Sequence, residues 1–106
     1  MSGEIKCPFC PLEKKTKWYL ETEDGIVVCR DLHNRGFKYR LLVVGSGKYW
    51  HRPRQRYSTK EIKWMVELGI GVANEHIKEG RVRKIASIDI EHLSYPDHWH
   101  LQVNLL

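Results

Sequence analysis

The chain has 106 residues, enough for one domain with one modest core. Hydrophobic residues make up 42% and charged residues 29%, a globular balance that argues against disorder. No apolar run approaches the roughly 20 residues that span a bilayer. Residues 1–7 lack the apolar segment of a secretory signal, which makes the cytoplasm the expected compartment. The net charge of +5 favours an anionic partner such as a nucleotide or a nucleic acid.

The first expected element is a strand over 17–21 (Lys-Trp-Tyr-Leu-Glu), followed by a second over 26–30. Glu23-Asp24-Gly25 between them is a turn signal, so the pair reads as a hairpin. Residues 31–36 read as a loop. Residues 39–44 (Tyr-Arg-Leu-Leu-Val-Val) are apolar and β-branched, a buried central strand ended by Gly45-Ser46-Gly47. Ser58 and Glu61 form a capping box, and Ile62, Met65, Val66, Gly69, Val72, Ala73, His76 and Ile77 recur at helical spacing until Gly80. Gly69 and Gly71 inside that helix cost about 1 kcal/mol each relative to alanine, which implies close packing of another backbone there. His76 lies on the apolar stripe and reads as a core histidine. Residues 82–90 read as a long strand, 95–97 as a turn and the last eight or nine residues as the final strand. The sum is an α+β domain: about five antiparallel strands with one long helix before the last two.

The final strand carries the chemistry. Side chains alternate faces along a strand, so His98, His100, Gln102 and Asn104 share one face and Trp99, Leu101, Val103 and Leu105 the other. The apolar face requires a core. The polar face is expected to line a cleft, because four polar side chains under a dry layer are costly. The two histidines stand about 7 Å apart at Cα. Imidazole there serves as metal ligand, proton shuttle or nucleophile. At the other end of the chain, Cys7-Pro-Phe-Cys10 has zinc-knuckle spacing, and with Cys29 the cysteines number three, an odd count that suits a metal or redox site better than a disulfide framework. The pair needs two further ligands, for which His33, His76 and His92 are the weaker candidates. Cys29 sits in an apolar strand and reads as core. Residues 48–57 hold four cations (Lys48, Arg52, Arg54, Arg56) and three aromatics (Tyr49, Trp50, Tyr57). Such a loop either contacts phosphates and bases or is a solvated basic loop anchored by Trp50 or Tyr57.

His98-Trp-His100-Leu-Gln102-Val-Asn104 resembles the signature of the histidine-triad superfamily, in the variant with glutamine at the third position found in its nucleotidyl-transferase branch (galactose-1-phosphate uridylyltransferases and diadenosine-tetraphosphate phosphorylases). The order of the remaining features is similar too: a Cys-x-x-Cys segment, a hairpin, a buried strand with a histidine after it, a long helix, and two strands ending in the motif. The resemblance implies a histidine-triad-like fold paired into a homodimer through the helix, and a structural zinc on Cys7, Cys10, His51 and His98. It also implies a nucleophilic His100 that attacks the α-phosphorus of a nucleotide, and a Gln102 that hydrogen-bonds the phosphoryl oxygens. Ser94, Asn104, Lys48, Arg52 and Arg54 are the further candidates to contact nucleotide or phosphate. Ser94 stands four positions before His98, one further than the family's serine. A non-catalytic, zinc-stabilised module that holds nucleic acid on the basic loop is the alternative.

Overall fold

The structure, a computed structural model, describes residues 16–31, 36–46, 49, 52–90 and 98–106. Cys7, Cys10, Lys48, His51 and Ser94 lie outside these residues, as do His33, Trp50 and His92.

Among the described residues, five strands and one long helix are built in the expected order. Strands β1 (Trp18–Glu21), β2 (Ile26–Arg30) and β3 (Tyr39–Gly45) precede helix α1 (Thr59–Lys78), and β4 (Ile85–Asp89) and β5 (His100–Leu105) follow it. They form one sheet in the order β1-β2-β3-β5-β4, and every neighbouring pair is antiparallel. The β1–β2 hairpin turns where Gly25 adopts φ 105°, a left-handed conformation that a side chain would oppose. The Thr22 hydroxyl accepts from the Ile26 amide at 3.0 Å and closes that turn. β5 lies between β3 and β4, so the strand bearing His100 is interior and leaves no free edge.

Residues opposite one another in an antiparallel pair share a face. The register therefore sorts the sheet into two surfaces. Ile26 and Val28 of β2, Leu41 and Val43 of β3, and Leu101, Val103 and Leu105 of β5 form one, all fully buried. α1 packs here through Met65, Gly69, Ala73 and His76, at spacings of four, four and three residues. Ser58 caps the helix as expected: its hydroxyl accepts from the Glu61 amide, and the Glu61 carboxylate accepts from the Ser58 amide. At the far end Gly80 has φ 78°, while its amide donates to Ile77 O and the Arg81 amide to His76 O, a Schellman closure. Among the described residues, no helix is long and apolar enough to cross a membrane.

The two helix glycines do different things. A Cβ on Gly69 would lie 2.9 Å from a Val103 methyl and 3.0 Å from a Val43 methyl, so the missing side chain lets α1 sit directly on β3 and β5. The close neighbour inferred from the sequence is thus the chain's own sheet, reached through side chains, and Gly69 is buried there rather than on an outer face. Gly71 points away: a Cβ added there would meet nothing within 4 Å. β4 is also shorter than expected. Residues 82–84 do not pair as strand, because the amides of Arg83 and Lys84 both turn to the carbonyl of Leu106. Val82 instead inserts into the core, 3% exposed.

The same substitution in the same helix is therefore expected to have opposite effects. Gly71→Ala should stabilise by roughly 0.5–1 kcal/mol, the helix-propensity gain alone. Gly69→Ala should destabilise by about 1 kcal/mol or more, because overpacking against Val103 and Val43 outweighs that gain. Urea midpoints of the two variants check this.

A second prediction concerns Cys29, buried on the opposite face of the sheet as a free thiol. Burial, with a smaller contribution from the Asp31 charge, pushes its thiol from 9.0 up to about 11. The unfolded chain releases that proton near its ordinary value, whereas the folded chain holds it about two pH units longer. Between these values the folded state binds more protons, so stability falls as pH rises. Urea unfolding at pH 8 and pH 10.5 should give a loss on the order of 1–2 kcal/mol larger in the native chain than in Cys29→Ala.

Candidate functional site

The second surface of the sheet carries His100, Gln102 and Asn104 among the sequence-predicted residues. The register places His100 opposite Val44, Gln102 opposite Leu42 and Asn104 opposite Arg40, with Ser87 and Asp89 of β4 beside Asn104 and Gln102. Val27, Cys29, Leu42 and Val44 form the apolar half of this surface, with Trp18 against them. The polar half is His100, Gln102 and Asn104 along β5, flanked by Arg40, Ser87 and Asp89. Alternation along the strand predicts an open polar face. The structure instead leaves His98 0%, His100 3%, Gln102 5% and Asn104 5% exposed.

Hydrogen bonds explain how Asn104 is accommodated. Arg40 Nε, which can only donate, lies 2.7 Å from Asn104 Oδ1. That contact fixes the amide so that Nδ2 points the other way and donates to Ser87 Oγ at 3.0 Å. Asp31 approaches the Arg40 guanidinium at 3.6 Å, and the Phe37 ring lies 5.8 Å from it. A chain of polar contacts thus runs Asp31–Arg40–Asn104–Ser87 across β3, β5 and β4. Asn104, a candidate to contact nucleotide, has both ends of its amide engaged within the sheet. Arg40 and Ser87 do not stand out in the sequence. Their role depends on cross-strand register, and a lone arginine within an otherwise apolar strand is the only local sign.

His98 and His100 are each oriented by a backbone carbonyl, which can only accept. His98 precedes β5 and its Nε2 lies 2.8 Å from Gly45 O, so Nε2 carries the hydrogen and Nδ1 the lone pair. His100 Nδ1 lies 3.4 Å from His98 O, a long contact in which the ring nitrogen is the donor. Gly45 is the hinge of this arrangement. A Cβ there would lie 2.6 Å from both Tyr49 Cβ and Tyr57 Oη, so only glycine lets the end of β3 present its carbonyl to His98 beneath these two tyrosines.

The basic segment is tied to the same corner. Tyr49 and Tyr57 stack with ring centroids 5.8 Å apart, and Tyr57 packs on Trp99 at 5.0 Å. Arg52 spreads its guanidinium over both tyrosine rings, 4.8 and 5.3 Å from their centroids, and pairs with Glu61 at 3.6 Å. Its carbonyl accepts from the Trp99 amide at 3.0 Å, immediately before β5. Tyr57 is the buried anchor that the sequence offers as one reading of this segment, and burial pushes its hydroxyl up to about 12. Arg54 opens a short 3-10 turn, Arg54–Arg56, and is half-buried.

Of the four residues the resemblance places on zinc, His98 alone is among the described residues. Its Nε2 is held by the Gly45 carbonyl, an orientation of the kind that a backbone contact gives a metal-binding imidazole. Among the described residues, no group of three or more histidine, cysteine or acidic side chains converges on one point. Comparisons with known protein families, with curated proteins and with solved structures return no match.

Asn104→Leu is expected to strip Arg40 and Ser87 of their shared partner and to cost roughly 2–4 kcal/mol in urea unfolding. Asn104→Asp keeps an acceptor toward Arg40 and lets the Ser87 hydroxyl reverse its donation, so it should retain most of the native stability.

Proposed function

We propose that the chain is a histidine-triad-like nucleotide-binding protein, a nucleotide hydrolase or nucleotidyl transferase in which His100 attacks the α-phosphorus. The observation that carries this reading is the orientation of His100. Its Nδ1 faces the His98 carbonyl, and in the neutral ring that donation leaves on Nε2 the lone pair that a nucleophile needs. Gln102 follows two residues on, on the same face of β5.

In the proposed reaction the Nε2 lone pair forms a bond to the α-phosphorus. The bond from that phosphorus to its leaving oxygen breaks, and the leaving group departs with the electron pair. The Nδ1–H bond to the His98 carbonyl steadies the cationic ring of the nucleotidyl-histidine. Water, or the phosphate of an acceptor, then attacks phosphorus, and the N–P pair returns to Nε2. The Gln102 amide donates to the phosphoryl oxygens without adding charge. His100 is 3% exposed, so catalysis requires this face of the sheet to open to the nucleotide.

Zinc fits the reading as a structural ion on Cys7, Cys10, His51 and His98, where four protein ligands close the shell. Lys48, Arg52, Arg54 and Ser94 would contact phosphate, and two copies would form a homodimer. One observation favours the alternative, a zinc-stabilised module that holds nucleic acid without catalysis. Both histidines are buried, as structural residues are, while the chain carries a charge of +5.

Incubation with α-labelled ATP, GTP and UTP decides between them. An acid-labile, histidine-linked adduct that disappears in His100→Ala and falls by about two orders of magnitude in Gln102→Ala is expected. Salt-sensitive binding of single-stranded nucleic acid with no adduct would select the module and refute the enzyme. Metal analysis should find about one zinc per chain, lost in Cys7→Ala with a fall in thermal stability. A fully folded, metal-free chain would remove the zinc.

A further inference from the structure

The other surface of the sheet holds a separate feature. α1 ends beside β1, and Lys17 and Tyr19 of the hairpin face Val72, Glu75 and His76 of the helix across a cleft of about 190 Å³. Glu79 and Arg81 complete its rim and pair with each other at 3.3 Å.

His76 lines this cleft, yet it is only 2% exposed. Its Nδ1 lies 2.9 Å from the carbonyl of Val72, one helical turn back, so Nδ1 donates and in the neutral ring Nε2 is an acceptor. Nε2 is buried and has no hydrogen-bond partner among the described residues. A core histidine placed only for packing would waste that nitrogen, since buried polar atoms as a rule find partners. The neighbouring rings do not supply one. Tyr19 meets His76 edge-on at 4.7 Å and Tyr39 is tilted against it at 5.0 Å, while the two tyrosine hydroxyls hydrogen-bond each other.

We propose that this cleft binds a small neutral polyhydroxy molecule of pentose or hexose size, with one ligand hydroxyl donating to His76 Nε2. Three observations select that chemistry. The orphan nitrogen accepts, so the ligand must donate. The rim charges cancel, Lys17 and Arg81 against Glu75 and Glu79, which gives no net preference for an anion or a cation. Tyr19 contributes an aromatic wall, to which the C–H face of a sugar ring is complementary. Lys17 lies over the Tyr19 ring at 5.4 Å, so its ammonium stands on the same wall of the cleft. The site sits on the helix side of the sheet and stands independently of the reading given to His100.

Long-range proton–nitrogen NMR of the full chain, with imidazole nitrogens labelled, tests the proposal. The His76 signal is assigned by its loss in His76→Gln. D-ribose and D-glucose are the probes, with n-propylammonium and acetate as charged comparators. A saturable shift of the His76 Nε2 signal with sugar, and no comparable shift with either ion, is expected. Val72→Trp, which fills the cleft but keeps the backbone carbonyl that holds Nδ1, should weaken the sugar response about tenfold or more. Glu75→Trp at the exposed rim should do the same if Val72→Trp perturbs the fold. A linear, unsaturated response at molar sugar, a stronger response to either ion, or a sugar response unchanged in both tryptophan variants would overturn it.

Discussion

An interior strand with polar side chains on a buried face is the constraint around which this fold is arranged. β5 is hydrogen-bonded on both edges and buried on both faces. One face is apolar and gains stability simply by meeting α1. The other holds His100, Gln102 and Asn104, whose burial is unfavourable unless their polar atoms find partners. For Asn104, the neighbouring strands supply those partners, Arg40 and Ser87, in this register. A slip of one residue would turn Asn104 onto the helix and remove it from Arg40 and Ser87 together. The polar face thus specifies pairing more sharply than the apolar face, where Leu41, Val43, Leu101 and Val103 are nearly interchangeable in shape.

The helix side answers the same constraint by closeness. Gly69 brings α1 onto Val43 and Val103, the same two strands that hold the polar ladder on their reverse. Gly45 repeats the device at the end of β3, where the absent side chain makes room for Tyr49 and Tyr57 and leaves a carbonyl for His98. Arg52 then joins the corner to the start of α1 through Glu61, a residue already committed to the capping box. Cap, basic segment and β5 are in this way mechanically one unit, and Arg52 serves the scaffold as well as the charge of the surface.

Much of this architecture is legible in the sequence because it is written in local patterns. The hairpin follows from Glu23-Asp24-Gly25, the helix from Ser58, Glu61 and a 3.6-residue stripe, and the two faces of β5 from strict alternation. The burial of Cys29, His76 and Tyr57 is readable in the same way, each by its place in an apolar pattern. The features that escape are those set by distant contacts. β4 starts at Ile85 because Arg83 and Lys84 bond to the last residue of the chain, which no local window contains. Gly71 shares its residue type with Gly69 but not its direction. Arg40 reads as an interruption in an apolar strand until β5 is laid beside it. The polar face of β5 is correctly grouped by its pattern yet expected to be open, because alternation reports which residues share a side and not how deeply that side is covered.

Among the described residues, imidazole is used three times for a purpose that other polar side chains serve less well. His76, His98 and His100 each donate one ring nitrogen to a backbone carbonyl, to Val72, Gly45 and His98 in turn. In the neutral ring each donation leaves the lone pair on the second nitrogen: Nε2 in His76 and His100, Nδ1 in His98. An asparagine or glutamine could make the same bond to the carbonyl, but its other end would be a weakly basic oxygen. A lysine would bring a charge that these buried positions could not solvate. The ring alone places a neutral, directional lone pair inside a packed protein while its own backbone contact holds the aim. Such a nitrogen, buried and pre-oriented, is what metal ligation, attack on phosphorus and recognition of a hydroxyl have in common. The sheet keeps the pair at the head of β5 apart from the one under α1, so the two surfaces can carry different chemistry without sharing a side chain.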